Sequence, residues 1–131
     1  DLASGNPSTI PPMIDALRTM VHQAKSAGVQ VFLATLLPER EGGSRTGALP
    51  LISPANAQIR QLATAEGVVL VDLFQGFGGS PDPFIDTDGL HPNEQGYQKI
   101  AQIFFDALRA KLDTSSFVVQ NALPASVFAR R

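Results

Sequence analysis

The chain has 131 residues, with Lys+Arg 10 against Asp+Glu 12, a formal charge of −2 and no cysteine. That length is one domain at most, and a near-balanced charge without basic clustering argues against a nucleic-acid or anionic-membrane binder. The missing cysteines exclude disulfides, thiolate zinc sites and a cysteine nucleophile, and no apolar run approaches the roughly eighteen residues of a membrane span.

The first periodic segment predicts a helix from about Thr9, with Thr9 as N-cap and Pro11 and Pro12 in a first turn that needs no backbone N–H. Ile10, Met13, Ile14, Leu17, Val21 and Ala24 fall on one apolar face, and Gly28 supplies the stop. His22 lies on the opposite, polar face and reads as a solvated surface histidine. Val29 to Leu37 follows as a nearly continuous apolar run, the pattern of a parallel strand buried on both faces. Residues 39–52 read as a long loop with Gly42, Gly43 and Gly47, a candidate rim or lid.

Ser53 and Pro54 then look like an N-cap and first-turn proline opening a second helix, with Ala55, Ile59, Leu62 and Ala63 as its stripe and Gly67 as its end. Val68 to Phe74 is the second buried strand, with Asp72 near its C-terminal end. A looser stretch runs from Gln75 to His91. The last helix starts after His91 at Pro92 and Asn93 and runs to about Leu112, with Tyr97, Ile100, Ala101, Phe104 and Leu108 facing inward. Residues 1–112 therefore form the domain portion. Residues 113–131 read as a tail or linker with apolar patches at Phe117–Val119 and Val127–Phe128, one of them a short strand.

The order α, β, α, β, α contains one unit of the right length for a right-handed parallel crossover. Two strands, each reading as buried on both faces, are too few for three amphipathic helices, because open α/β sheets normally have more. The chain behaves like the second half of a doubly wound domain, and Asp1 in place of a starting methionine agrees with that.

Chemistry concentrates in Asp88-Gly89-Leu90-His91-Pro92-Asn93. His91 stands immediately before a helix, in a loop beyond the C-terminal end of a parallel strand, the edge where open α/β sheets bind ligands. Asp88 precedes it by three residues, and Gly89 permits the turn that returns the carboxylate to the imidazole Nδ1–H. Such a pair sets the tautomer and leaves Nε2 to accept a proton. On spacing alone the bland alternatives stay open: Asp88 as a helix cap and His91 as an ordinary loop residue. A calcium loop fails, since aligning Gly89 with the required EF-hand glycine puts Phe84 and Gln95 at ligand positions. Two histidines and no cysteine leave a zinc site without support.

The block from Asp88 to Asn93, followed by Gly96-Tyr97 and an amphipathic helix, resembles the C-terminal catalytic block of the SGNH (GDSL) hydrolases. Leu36-Leu37-Pro38 at a strand end, Asn56 and Ile59 on a helix, and Val71-Asp72-Leu73 agree with the same family. The resemblance covers about residues 1–112. It implies a flavodoxin-like three-layer α/β/α fold with a parallel sheet, to which this chain supplies about two strands and three helices. It also implies a serine esterase or lipase, His91 as general base and Asp88 as its partner. The family's Gly-Asp-Ser nucleophile motif does not occur here, and the oxyanion asparagine would stand one residue before Asp1. Asn6 lacks the aspartate that follows that asparagine and reads as a turn residue; Ser4, Ser44, Ser53 and Ser80 read as loop or cap serines.

The expected activity is thus carboxylic ester hydrolysis through an acyl-serine intermediate, with nucleophile and oxyanion donors outside this chain. No metal or cofactor is implied. The expected substrate is a small ester, such as an acetylated sugar or short-chain ester, and the family leans toward a secreted or periplasmic setting. The rival expectation is a non-catalytic α/β module in which strand 29–37 pairs with a missing N-terminal half or a second chain.

Overall fold

Phe32–Ala34 (β1) and Val69–Val71 (β2) pair in parallel, with Leu33 opposite Leu70, in a computed structural model that describes residues 2–121, with side chains as far as residue 113. Around this sheet stand α1 (Ile10–Ser26), α2 (Leu49–Glu66), the short α3 (Leu73–Gly76) and α4 (Glu94–Asn121). The parallel α/β arrangement is the one expected, with one helix more than the periodicity predicts.

Leu33 and Leu70 share a face because they are partners in register, and their neighbours along each strand point the other way. On that face Ile10 and Ile14 of α1 and Leu51, Ala55, Ile59 and Leu62 of α2 close the main core. Ile59 is 1% exposed, and burial of such a side chain contributes about 1.5–3 kcal/mol. Val71 faces the other way, toward the side where α4 packs on β2 and α3. There Ile103 of α4 fills the space a side chain at Gly76 would take.

Both strands are shorter than the apolar runs that announce them. Val29 is 56% exposed and its N–H goes to Ala24 O at the end of α1, not to a strand. At the other end Leu36 is held by a side chain: Asn56 Oδ1 accepts its N–H at 2.7 Å and Asn56 Nδ2 donates to its carbonyl at 3.0 Å. Asp72 leaves β2 to cap α3, accepting from Gln75 N at 3.1 Å. Arg60 of α2 grips the same carboxylate through Nε at 2.7 Å and Nη2 at 3.0 Å, and this ion pair holds Asp72 below the usual carboxylate range. Thr35, 3% exposed, donates to Asp72 Oδ1 and accepts from Phe74 N, tying the end of β1 to the start of α3.

The helix ends also move. Thr9 makes no side-chain cap; Asn6 does that work one turn earlier, accepting from Ser8 N at 3.0 Å to open a 3-10 turn that runs into α1. The second helix begins at Leu49, with Pro50 in its first turn and Pro54 inside it, so Ser53 is not the cap. The apolar repeat Ala48, Ile52, Ala55, Ile59 already runs through this proline, and Leu51 and Ile52 are each 4% exposed. Gly67 ends α2 in the left-handed region at φ 63°, as the sequence predicts. His22 is exposed but not merely solvated: its Nε2 lies 2.9 Å from Glu66 Oε2, joining α1 to the end of α2.

α4 differs most. It continues past residue 112 to Asn121 and takes in Phe117–Val119, one of the two apolar patches of the expected tail. Val127–Phe128 lies outside the described residues. Its inward side is Ile100, Ile103, Phe104 and Ala107, each half-buried, whereas Tyr97, Phe105, Leu108 and Leu112 are 58%, 58%, 41% and 64% exposed. The apolar arc is therefore wider than the surface β2 and α3 cover. Among the described residues no helix is long and apolar enough to cross a membrane.

Candidate active site

The segment from Pro81 to Asn93 is held by bonds within itself. Ile85 and Pro92 form an antiparallel bridge, with Asp86 N donating to His91 O at 2.8 Å and Asn93 N to Phe84 O at 2.9 Å. Asn93 caps α4: its Oδ1 accepts from Gly96 N at 3.0 Å, and its Nδ2 donates to Pro83 O at 2.7 Å. Gly96 is required there, since a Cβ would overlap the Phe84 carbonyl. Ile85 is 2% exposed and anchors the segment in the core.

Between the bridged strands the chain turns through Asp86–His91, with Gly89 at φ 80°. Asp88 bends back across this turn. Its Oδ1 accepts the N–H groups of Leu90 at 2.9 Å and His91 at 3.0 Å, and its Oδ2 lies 2.5 Å from His91 Nδ1. Asp88 therefore does not cap α4, a role Asn93 fills. The imidazole is 66% exposed and the carboxylate 44%. With Nδ1 engaged, Nε2 is the nitrogen available for proton exchange.

The His91 hydrogen bond, then the N–H groups of Leu90 and His91, pull the Asp88 carboxyl down to about 2 from 3.8. A lowered folded-state value stabilises the fold above about pH 4, and that contribution is lost as the pH falls toward 2. A carbon-detected NMR titration of the Asp88 carboxyl is expected to show a midpoint near 2. A midpoint at the ordinary value would show the pair unformed in solution.

The segment leaving the C-terminal end of β1 meets this turn. Arg40 N donates to Gly89 O at 2.9 Å, and Ser44 N donates to Asp88 O at 3.1 Å. The approach needs glycine on both sides: a Cβ on Gly43 would stand 2.8 Å from Gly89 Cα, and one on Gly89 2.7 Å from Gly43 Cα. So the Asp–His turn sits against the C-terminal exit of the sheet. Of the loop read as a rim or lid, residues 46–52 are helical and 40–44 are bonded in place, while Glu39, Arg45, Ala48 and Ile52 line a cleft beside Leu90. Of the expected loop and cap serines, Ser44 touches the turn only through its main chain, Ser53 lies within α2, and Ser80 Oγ accepts from Asp82 N at 3.3 Å.

Beside Leu90 opens an apolar cleft of about 410 Å³, lined by Leu2, Met13, Leu36, Leu37 and Ile52. Glu39 and Arg45 stand on its wall, and burial raises the Glu39 carboxyl above its ordinary value. Among the described residues no cluster of three or more His, Asp or Glu side chains could hold a metal ion. The residues that sequence reasoning missed are Arg40 and Ser44, whose only signal was the Gly42-Gly43 pair within a long loop.

The chain belongs to the GDSL-like lipase/acylhydrolase family, whose model matches residues 1–99. Among solved structures it is similar to a GDSL-like lipase of Bacteroides thetaiotaomicron, with a TM-score of 0.68 and 25% identity over 78% of this chain and 53% of the other. It is also similar to a proposed acylhydrolase of Bacteroides fragilis, at 0.67 and 24% over 79% and 53%. A proposed SGNH hydrolase of Slackia heliotrinireducens matches at 0.63 and 25% over 80% and 61%. The chain thus spans about half the length of the first of these structures. No curated protein matches it in sequence.

Proposed function

We propose that this chain contributes the general base and its carboxylate partner to a serine carboxylic ester hydrolase whose nucleophile and oxyanion donors lie outside it. The observation that carries the reading is the His91 Nδ1 to Asp88 Oδ2 contact of 2.5 Å on a turn braced at the sheet's C-terminal exit. His91 Nε2 takes the proton of the serine hydroxyl as its oxygen bonds to the ester carbonyl carbon, and gives that proton to the leaving alcohol as the C–O bond breaks. It then takes a proton from water, which attacks the acyl-serine. The acid departs, and the proton returns to the serine oxygen. Asp88 keeps Nδ1–H oriented and stabilises the imidazolium in each half.

The cleft beside Leu90 suits the acyl part of a small ester, which supports a short-chain ester or an acetylated sugar as substrate. The chain alone is expected not to turn over p-nitrophenyl acetate at ordinary enzyme rates. Mixed with the polypeptide that completes the domain, it is expected to hydrolyse that ester, with a fluorophosphonate labelling a serine of the added polypeptide. His91-dependent turnover by the 131-residue chain alone would overturn the reading.

A second reading, association without catalysis, is favoured by one specific feature. Among the described residues β1 has β2 as its one strand neighbour, while Phe105, Leu108 and Leu112 stay exposed on α4. An added strand on β1 would extend the sheet of the three-layer sandwich, and a further element beside α4 would cover these side chains. Assembly with the completing polypeptide but no ester hydrolysis at any pH would favour this second reading.

A further inference from the structure

We propose that Arg40 is a positioning residue for the Asp88–His91 pair, acting through the backbone of the loop that carries them; the proposal rests on the catalytic reading of that pair. Arg40 reaches three points of this loop at once. Its main-chain N–H donates to Gly89 O at 2.9 Å, and its guanidinium Nη2 donates to Ile85 O at 2.9 Å and to Asp82 Oδ1 at 2.7 Å. These acceptors lie before the hairpin-like bridge that holds Asp86 N on His91 O, on its first arm and in the turn between its arms.

The contact to Ile85 O matters most. Ile85 is the buried anchor of the segment and bridges to Pro92, the residue after His91. A guanidinium hydrogen bond on that carbonyl therefore sets how far the 84–86 strand stands from the exit of β1, and with it the 91–93 strand. The Asp82 contact adds less, since its side chain is 71% exposed and solvent screens such a pair. It does keep the fork oriented, and the Asp82 hydrogen bond holds the guanidinium firmly protonated, with Asp86 adding to that charge stabilisation. Arg40 touches neither Asp88 nor His91 with its side chain, so its effect is geometric.

Both side-chain contacts come from the one nitrogen Nη2, and lysine keeps the charge but carries its nitrogen one bond nearer the backbone, short of the point that meets both acceptors. NMR on the 131-residue chain tests this without any hydrolysis. In R40K and R40M, the His91 Nδ1–H is expected to exchange with water at least about tenfold faster, as its bond to Asp88 loosens. The Asp88 carboxyl midpoint is expected to rise from about 2 toward 3.8. Amide protection at Leu33 and Val71, in the paired strands, is expected to stay as in the parent chain. Parent-like exchange and midpoint in either folded variant overturn the proposal. So does loss of protection at Leu33 and Val71 in R40K, which would make Arg40 a general structural residue. Absence of esterase activity in the completed domain would count against the catalytic reading and leave these outcomes readable.

Discussion

H91A is expected to lower kcat/KM for ester hydrolysis by the completed domain about 10⁴-fold, or about 5 kcal/mol of transition-state stabilisation. The size follows from the role proposed for the imidazole, which would remove a proton from a nucleophile and return one to a leaving group in each half of the turnover. Asp88 does not replace it, since a carboxylate is a far weaker base than imidazole even when loss of the His91 hydrogen bond lets its carboxyl rise toward 3.8. The variant is expected to fold, because the His91 side chain is 66% exposed and the loop is held by main-chain bonds that alanine keeps. Initial rates with p-nitrophenyl acetate check the prediction, alongside a thermal melt that should stay near the parent's. Activity within tenfold of the parent would remove His91 from the mechanism.

Asn56→Leu is expected to be the most damaging near-isosteric change in the core, at about 4 kcal/mol. Asn56 is fully buried on α2, and its amide serves as a strand edge for Leu36, satisfying both the N–H and the carbonyl. Leucine fills the same space and leaves both half-buried backbone groups of Leu36 without their partner, each costing about 1–3 kcal/mol. That is a large share of the roughly 5–15 kcal/mol by which a domain of this size is stable. Urea unfolding should show a lower midpoint with an unchanged slope. Asn56→Asp keeps the acceptor for Leu36 N–H and loses the donor, so its charged form places an anion against a carbonyl. It should be destabilising as well, and progressively less so as the pH is lowered and the carboxyl gains a proton that can donate. A cost below about 1 kcal/mol for Asn56→Leu would show that Leu36 finds other partners.

Much of the local structure was legible because it depends on neighbours in sequence. The α1 face of Ile10, Ile14 and Val21 follows from helical spacing and is buried as expected. Gly67 ends α2 because only glycine enters the left-handed region freely. What misled was treating local signals as boundaries. Ser53-Pro54 has the look of a helix start, yet the apolar repeat runs through it from Ala48 because burial of Leu51 and Ile52 outweighs the one N–H that Pro54 lacks. Val29 to Leu37 is apolar throughout, but a strand lasts only while a neighbouring strand offers hydrogen bonds, and Asn56 takes over at Leu36.

By itself the sequence determined the Asp88–His91 turn. Three residues of separation, a glycine between them and a proline after them confine the contact to a short span of chain, so little else is needed to bring carboxylate and imidazole together. The tertiary structure decided where that turn is held and which side of α4 is covered. Arg40 and Ser44 reach Gly89 and Asp88 from a segment more than forty residues away, a meeting that depends on β1 and β2 lying side by side. α4 carries an apolar arc wider than one surface can bury. The periodicity located the arc, but only packing against β2 and Gly76 selected Ile100, Ile103 and Phe104 as its inner flank and left Phe105 and Leu108 outside.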